Sequence, residues 1–199
     1  LGISVEKKKD TMRFYDATAS SYEELYGEEQ HTKYDAALKA IKTVQLGKVL
    51  DVGCGPAIFL RRIVSTSTIK VGVDISHRML TNVRAKDRPS IHLICADADF
   101  LPLRDGIFDS AFAFTLLQNM PNPTSTLLEM LRVVRTEGLI VVTLPSSEVG
   151  REAVRWLEEA GISYEDVEVA FSSKDRVYTF RKARGLISRD EPNDFNSGL

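Results

Sequence analysis

An apolar run, Lys48-Val49-Leu50-Asp51-Val52, empties into Gly53-Cys54-Gly55-Pro56-Ala57, and an amphipathic segment follows. A strand that ends in two glycines one residue apart and restarts as a helix constrains the fold more than any other feature of this chain. Without a Cβ, Gly53 and Gly55 let the backbone turn sharply and let a ligand lie against it. Open parallel sheets hold their ligands at the carboxyl ends of the strands, so the loop is a candidate cradle. Taken alone, the segment is equally a glycine-rich turn after a buried strand.

What the loop lacks narrows the ligand. A dinucleotide fingerprint carries a third glycine three residues after the second, bringing a helix N-terminus up to a pyrophosphate; that position is Ile58. Asp51 points the same way, because a carboxylate beside the loop repels phosphate and welcomes an amino group or a cation. A second apolar strand, Lys70-Val71-Gly72-Val73, ends in Asp74-Ile75-Ser76. An acid about 20 residues past such a loop suits a ribose hydroxyl pair. Alternatively Asp74 caps the helix that carries Met79, Leu80 and Val83.

These segments resemble the class I S-adenosylmethionine-dependent methyltransferases of the small single-domain, type 11-like kind, whose first motif reads acid-x-Gly-x-Gly. Cys95-Ala96-Asp97-Ala98-Asp99-Phe100-Leu101-Pro102-Leu103, followed by Phe108-Asp109, matches the family's Gly-Asp-Ala-Glu-x-Leu-Pro-Phe segment and its later Phe-Asp. The resemblance implies an S-adenosyl-L-methionine site built from Asp51, Gly53, Gly55, Pro56, Asp74, Ser76, Asp97 and Ala98, with Thr115 and Tyr22 completing the set. Within it, Asp74 holds the ribose, Asp97 and the Ala98 amide hold adenine, and Tyr22 contacts the methionine end. Phe100 and Leu101 either cover the adenine ring or anchor the core. Two departures stand out: Ala57 replaces a frequent third glycine, and Arg135-Thr136-Glu137-Gly138 replaces a common Lys-Pro-Gly-Gly turn.

Methyl transfer from a sulfonium is an in-line displacement, so alignment is the main demand and no catalytic residue is compulsory. No catalytic or metal-binding residue is assigned. Gln118 and Asn119, after the fourth strand, either hydrogen-bond an acceptor or satisfy loop backbone. Gln30 and His31 are further candidates for the pocket. Tyr22 belongs to Ser21-Tyr22-Glu23-Glu24-Leu25-Tyr26, which with Phe14-Tyr15-Asp16 resembles the family's N-terminal lid; such aromatic stripes also serve plain helix packing.

The rest of the chain alternates strand and helix, as an α/β fold requires. Ala37, Leu38 and Ile41 form a helical stripe; Ile91 to Cys95 and Ser110 to Phe114 are strands. A helix bearing Leu127, Leu128 and Leu131 is expected to end at Gly138, which releases the central strand Leu139 to Leu144. Gly161 ends a last helix, and two alternating strands around Ser172-Ser173-Lys174-Asp175 make a hairpin. The expected architecture is a Rossmann-like, doubly wound sheet of seven mostly parallel strands with a C-terminal antiparallel hairpin. A dehydrogenase half has no reason to close this way. Residues 1–45 are read as a helical lid segment, 46–185 as the binding core and 186–199 as a polar tail, within a single domain.

With 199 residues and a net charge of −2, the chain carries no overall electrostatic footprint for nucleic acid, and Lys7-Lys8-Lys9 reads as a solvated face. Cys54 and Cys95 lack metal or disulfide spacing, and no apolar run of about 18 residues or signal core is present, so a cytoplasmic, membrane-free protein is expected. The methyl acceptor is unidentified. The minimal hairpin suggests an open site, which favours tRNA, rRNA or a translation-related protein slightly over a small metabolite, although a flexible N-terminal lid could equally enclose a small metabolite. By the family's strand order, Ile91–Cys95 lies at an unguarded sheet edge, where the resemblance implies pairing with a small activator subunit. The rival readings are a noncatalytic binder of cofactor or partner and a nucleotide-dependent oxidoreductase.

Overall fold

The computed structural model describes residues 2–41, 45–63, 67–84, 86–146, 149–172 and 174–184. The tail from 186 onward lies outside the described residues. In chain order the elements are α1 (Gly2–Thr18), α2 (Tyr22–Ala40), β1 (Gly47–Val52), α3 (Ile58–Arg62), β2 (Ser67–Asp74), α4 (His77–Thr81) and β3 (His92–Cys95). Then follow β4 (Phe108–Phe114), α5 (Pro123–Val133), β5 (Val134–Pro145), α6 (Val149–Glu159), β6 (Glu168–Phe171) and β7 (Asp175–Arg181).

The strands form one seven-stranded sheet in the order β3-β2-β1-β4-β5-β7-β6. Pairings from β3 to β5 are parallel, and β7 runs antiparallel to both β5 and β6. This is the expected Rossmann-like sheet with its closing hairpin. The order reverses between β1 and β4, the switch point where open α/β sheets bind ligands.

Strand periodicity sorts the core into two layers. Leu50, Ala111, Ala113, Ile140 and Val142 face one way and meet Leu127 and Met130 of α5 and Trp156 of α6. Val49, Phe112, Phe114 and Val141 face the other way, against Tyr34 and Ala37 of α2 and Phe59 of α3. On that second face the Phe59 ring lies 4.6 Å from Phe112 and 4.7 Å from Phe114, centroid to centroid. Such offset rings bury much area in defined geometry.

One boundary departs from the sequence expectation. Helix α5 stops at Val133, and Gly138 lies inside β5 rather than at a helix end. Phe108 of β4 pairs with Val134, and the register then slips so that Ser110 pairs with Leu139, with Glu137 at φ +61°. Gly138 is small for a packing reason: an added Cβ would collide with the Val134 side chain and sit 2.8 Å from the Arg135 carbonyl. Sheet pairing with β4 and β7 overrides the helix continuation that local pattern suggested.

Candidate functional site

The glycine loop is built as the sequence implies. Gly53 (φ +74°) and Gly55 (φ +52°) sit in the left-handed region, and the Gly53 and Cys54 amides donate to the Val73 carbonyl at 2.8 and 3.0 Å. A Cβ on Gly53 would come within 3.0 Å of Leu116. Above the loop Asp74 accepts from the Gly55 amide (2.8 Å) and, through its other oxygen, from the Ser76 amide (2.8 Å). Burial pushes the Asp74 carboxyl up, opposed by these amides. Two to three of the roughly four lone-pair positions of a carboxylate are thereby used, leaving acceptor capacity for a ligand hydroxyl.

A cavity of about 220 Å³ opens here, over the carboxyl ends of the parallel strands. Its floor follows the sheet order: Asp97 and Ala98 beyond β3, Asp74 at the end of β2, Gly53 and Gly55 after β1, and Thr115 after β4. Its roof comes from two helices. Lys8, Thr11 and Tyr15 line it from α1, and Tyr22, Tyr26, Gln30 and Lys33 from α2. These spacings of three, four and seven residues place each set on one helical face. The site is therefore roofed by the N-terminal helices, the lid alternative of the sequence reading.

Asp51 is 2% exposed and lies behind the loop. It borders a separate space of about 10 Å³, enough for one water molecule, together with Gln30, Tyr34 and Pro56. Burial, and after it the charge of Asp74, pushes the Asp51 carboxyl far above its ordinary range. The Gln30 side chain donates to the Tyr22 hydroxyl (3.2 Å) while its buried Oε1 has no partner. A carboxyl and an orphaned amide oxygen around one small space suit a ligand ammonium group.

The other expected residues divide. Tyr22 and Asn119 line the main cavity; Gln118 does not, and its amide donates to the Thr115 carbonyl at 2.9 Å. Ser76 is fully buried, caps α4 by accepting from the Met79 amide, and donates to Asp16 at 2.5 Å. It therefore takes the capping role that was Asp74's alternative. His31 is exposed and hydrogen-bonds Arg62 instead of entering the pocket. Phe100 is 75% exposed outside the cavity, and Leu101 belongs to the core.

Two lysines were not among the candidates. Lys8, expected on a solvated face, pairs with Asp97 (2.6 Å) and Asp99 (2.5 Å), its side chain 15% exposed. Lys33 of α2 is 2% exposed and reaches Glu29 (2.8 Å), the Thr115 hydroxyl (2.8 Å) and Asp175 of the hairpin (3.4 Å). The helical spacing of Tyr22, Tyr26, Gln30 and Lys33 was the available signal. It is a polar and aromatic face, which a search for apolar stripes passes over.

Comparison with known proteins agrees with this geometry. Residues 50–142 match the model of a family described as a methyltransferase domain. A demethylmenaquinone methyltransferase of Staphylococcus saprophyticus is 36% identical over 119 residues, covering 57% of this chain and 51% of the relative. A malonyl-[acyl-carrier protein] O-methyltransferase of Salmonella typhimurium is 32% identical over 130 residues, covering 65% and 51%. The chain thus spans about half the length of these relatives. Among solved structures, a chain of the Haloferax volcanii complex between the Trm112 methyltransferase activator and a methyltransferase superposes with a TM-score of 0.70 at 17% identity, covering 86% of this chain and 97% of that one. At that identity the likeness concerns the fold.

Proposed function

From the match of residues 50–142 to a methyltransferase-domain family, we propose that the protein is an S-adenosylmethionine-dependent methyltransferase that transfers the cofactor's methyl group to a small acceptor enclosed under α1 and α2. The observation that carries the reading is Asp74, bonded to the Gly55 amide above the loop with acceptor capacity left toward the cavity. Bound there, the cofactor supplies an electrophilic methyl group on a sulfonium. Asp74 would hold the ribose and Asp97 with Ala98 the adenine. The ammonium end would meet Gly53, Gly55 and Pro56, with Asp51 and Gln30 behind them and Tyr22 above. Ser76 supports the site by fixing the start of α4.

The remaining residues align and enclose. Burial keeps the Tyr22 phenol well above its ordinary value, so it acts as a neutral group and not as a base. Roofing the site excludes water and holds the reactants in line, which is most of what this displacement needs. The roof also supports a small acceptor over the RNA or translation-related protein that an open site favoured. Gln118 enters this scheme only through Thr115, whereas Asn119, which lines the cavity, would stand at the acceptor end.

Calorimetry with S-adenosylhomocysteine tests the cofactor site. Wild type should bind one equivalent, and Asp74→Asn should weaken binding by about 10- to 100-fold, the range for hydrogen bonds to a charged group. Binding of NAD without S-adenosylhomocysteine would favour the oxidoreductase alternative. Binding without labelled methyl transfer to any extract fraction would favour a noncatalytic member.

A second reading has its own observation. Strand β3 is a sheet edge, carries neither lysine nor proline, and suits an added strand from a small activator subunit serving a macromolecular acceptor. Co-expression with candidate activators checks it: a stable complex lost on His92→Pro supports it, and an unchanged Tm with every candidate counts against it.

A further inference from the structure

Thr115 is a β-branched residue held at φ +55°, a conformation that costs of order 1–3 kcal/mol and persists only where surroundings impose it. Four hydrogen bonds impose it. Its amide donates to the Thr143 hydroxyl (2.9 Å), and its carbonyl accepts from Gln118 (2.9 Å) and Asn119 (3.1 Å). Its hydroxyl oxygen accepts from the Lys33 ammonium (2.8 Å). That last bond matters chemically, because an ammonium donates only and so leaves the Thr115 O–H hydrogen unused.

Tyr15 repeats the pattern from the roof. The Asn119 amide nitrogen that donates to the Thr115 carbonyl also donates to the Tyr15 hydroxyl at 3.1 Å, which fixes that amide's orientation. The Tyr15 oxygen is therefore filled as an acceptor while its hydrogen is free. Burial raises the Tyr15 phenol, so it keeps that hydrogen at neutral pH. No acceptor for either O–H is found among the described residues, and both residues line the cavity.

We infer that Tyr15 and Thr115 form a two-donor subsite for an sp² oxygen, a carbonyl or carboxylate, of the methyl acceptor. This rests on the methyltransferase reading. The sheet order favours the acceptor over the cofactor, and so moves Thr115 out of the cofactor set that the resemblance implied. In the proposed placement adenine, ribose and amino acid lie over β3, β2 and β1 in turn, and Thr115 lies one strand further, after β4. Lys33 does not touch the acceptor in this scheme. Already bonded to Thr115 and paired with Glu29 and Asp175, it is a positioning residue that aims the Thr115 hydroxyl. Tyr22 and Tyr26, with ring centroids 5.0 Å apart, add an aromatic wall beside the subsite suited to a planar acceptor.

The test is binding of benzoate, acetophenone and toluene to the full chain saturated with S-adenosylhomocysteine, in wild type, Tyr15→Phe, Thr115→Val and Thr115→Ser. Benzoate and acetophenone should bind wild type and weaken about 5- to 10-fold in Tyr15→Phe and Thr115→Val. Thr115→Ser, which keeps the hydroxyl, should restore them, and toluene should not distinguish the proteins. A matched Tm shows that a variant has folded; if Thr115→Val does not fold, Tyr15→Phe with Thr115→Ser as its control carries the test. Three results overturn the inference while leaving the methyltransferase reading intact. They are no binding of either oxygen-bearing probe, equal binding across all variants, and variants that weaken S-adenosylhomocysteine instead, which would give the donors to the cofactor. Failure of wild type to bind S-adenosylhomocysteine overturns the methyltransferase reading itself.

Discussion

Helices α1 and α2 roof the same cavity and are held by different forces. From α2, Tyr34 and Ala37 enter the core, with the Tyr34 ring 4.6 Å from Phe114 and 5.4 Å from Phe59. On α1 no described side chain is buried, and Phe14 is 53% exposed. Polar tethers fasten it instead: Lys7 to the Met120 carbonyl, Lys8 to Asp97 and Asp99, Tyr15 to Asn119, and Asp16 to Ser76. Hydrophobic burial is non-directional and lost only when the core opens, whereas each tether can exchange for water or ligand. One half of the roof is thus anchored in the core, and the other half rests on the sheet through exchangeable polar contacts.

The largest expected effect falls on α2. Tyr34→Ala should cost about 3–5 kcal/mol in thermal or urea unfolding, the usual range for truncating a buried aromatic. Deleting residues 1–18 should lower Tm by less than this substitution does; an unfolded deletion product would break the distinction between the two helices. Next is Lys33→Met, which leaves Asp175, with its side chain 3% exposed, without its cation. Removing one partner of a buried pair costs about 3–5 kcal/mol, and the value should lie near the lower end because Glu29 is 41% exposed.

Lys8→Met should change global stability by less than about 1 kcal/mol, as for most partly exposed ion pairs. Amide hydrogen exchange in α1 should nevertheless rise about 5- to 10-fold while that of α2 stays fixed. Since Lys8 occupies the acid assigned to adenine, the same substitution should speed S-adenosylhomocysteine association. Slower association would make Lys8 part of the binding site and not a latch.

The smallest effect is the pH dependence, and it separates the helices by sign. Partial burial works to lower the Lys8 pKa, but its hydrogen bonds with Asp97 and Asp99 outweigh this and raise it above its ordinary 10.5. The α1 tether is thus fully present below 10.5 and fails as pH rises through the folded-state value. On α2 the hydrogen bond from Lys33, ahead of opposing desolvation, lowers the Glu29 pKa below its ordinary 4.5. That tether is present above 4.5 and fails as pH falls through the lowered value. Hydrogen exchange corrected for intrinsic rate should show α1 loosening first in alkali and the Glu29 turn of α2 loosening first in acid.

Much of the core was legible because it repeats simple periods. Val49 and Leu50 alternate between layers, the glycines at 53 and 55 demand positive φ, and acids follow two strand ends. The roof was harder to read. The faces carrying Tyr15, Tyr22 and Lys33 are polar and aromatic, so resemblance suggested a lid while periodicity alone gave no sign of what it contacts. Gly138 misled because a glycine after an apolar helical stripe is a common helix end, and only pairing of Leu139 with Ser110 and Arg181 shows it to be strand. Ser76 was placed near the ligand by its neighbour Asp74, but the start of α4 turns its hydroxyl inward.

The order of residues along the chain determined the seven-stranded sheet and the acids and glycines at the carboxyl ends of its strands, since strand alternation and glycine's conformational freedom are local properties. Tertiary structure decided which charges share space. Lys8 meets Asp97 across 89 positions of sequence, Lys33 meets Thr115 across 82, and Asn119 joins Tyr15 to Thr115 from 104 positions beyond the tyrosine. Such pairings depend on where helices land over the sheet, and no short-range pattern encodes that. The donors left over once those bonds are made set what the cavity can recognise.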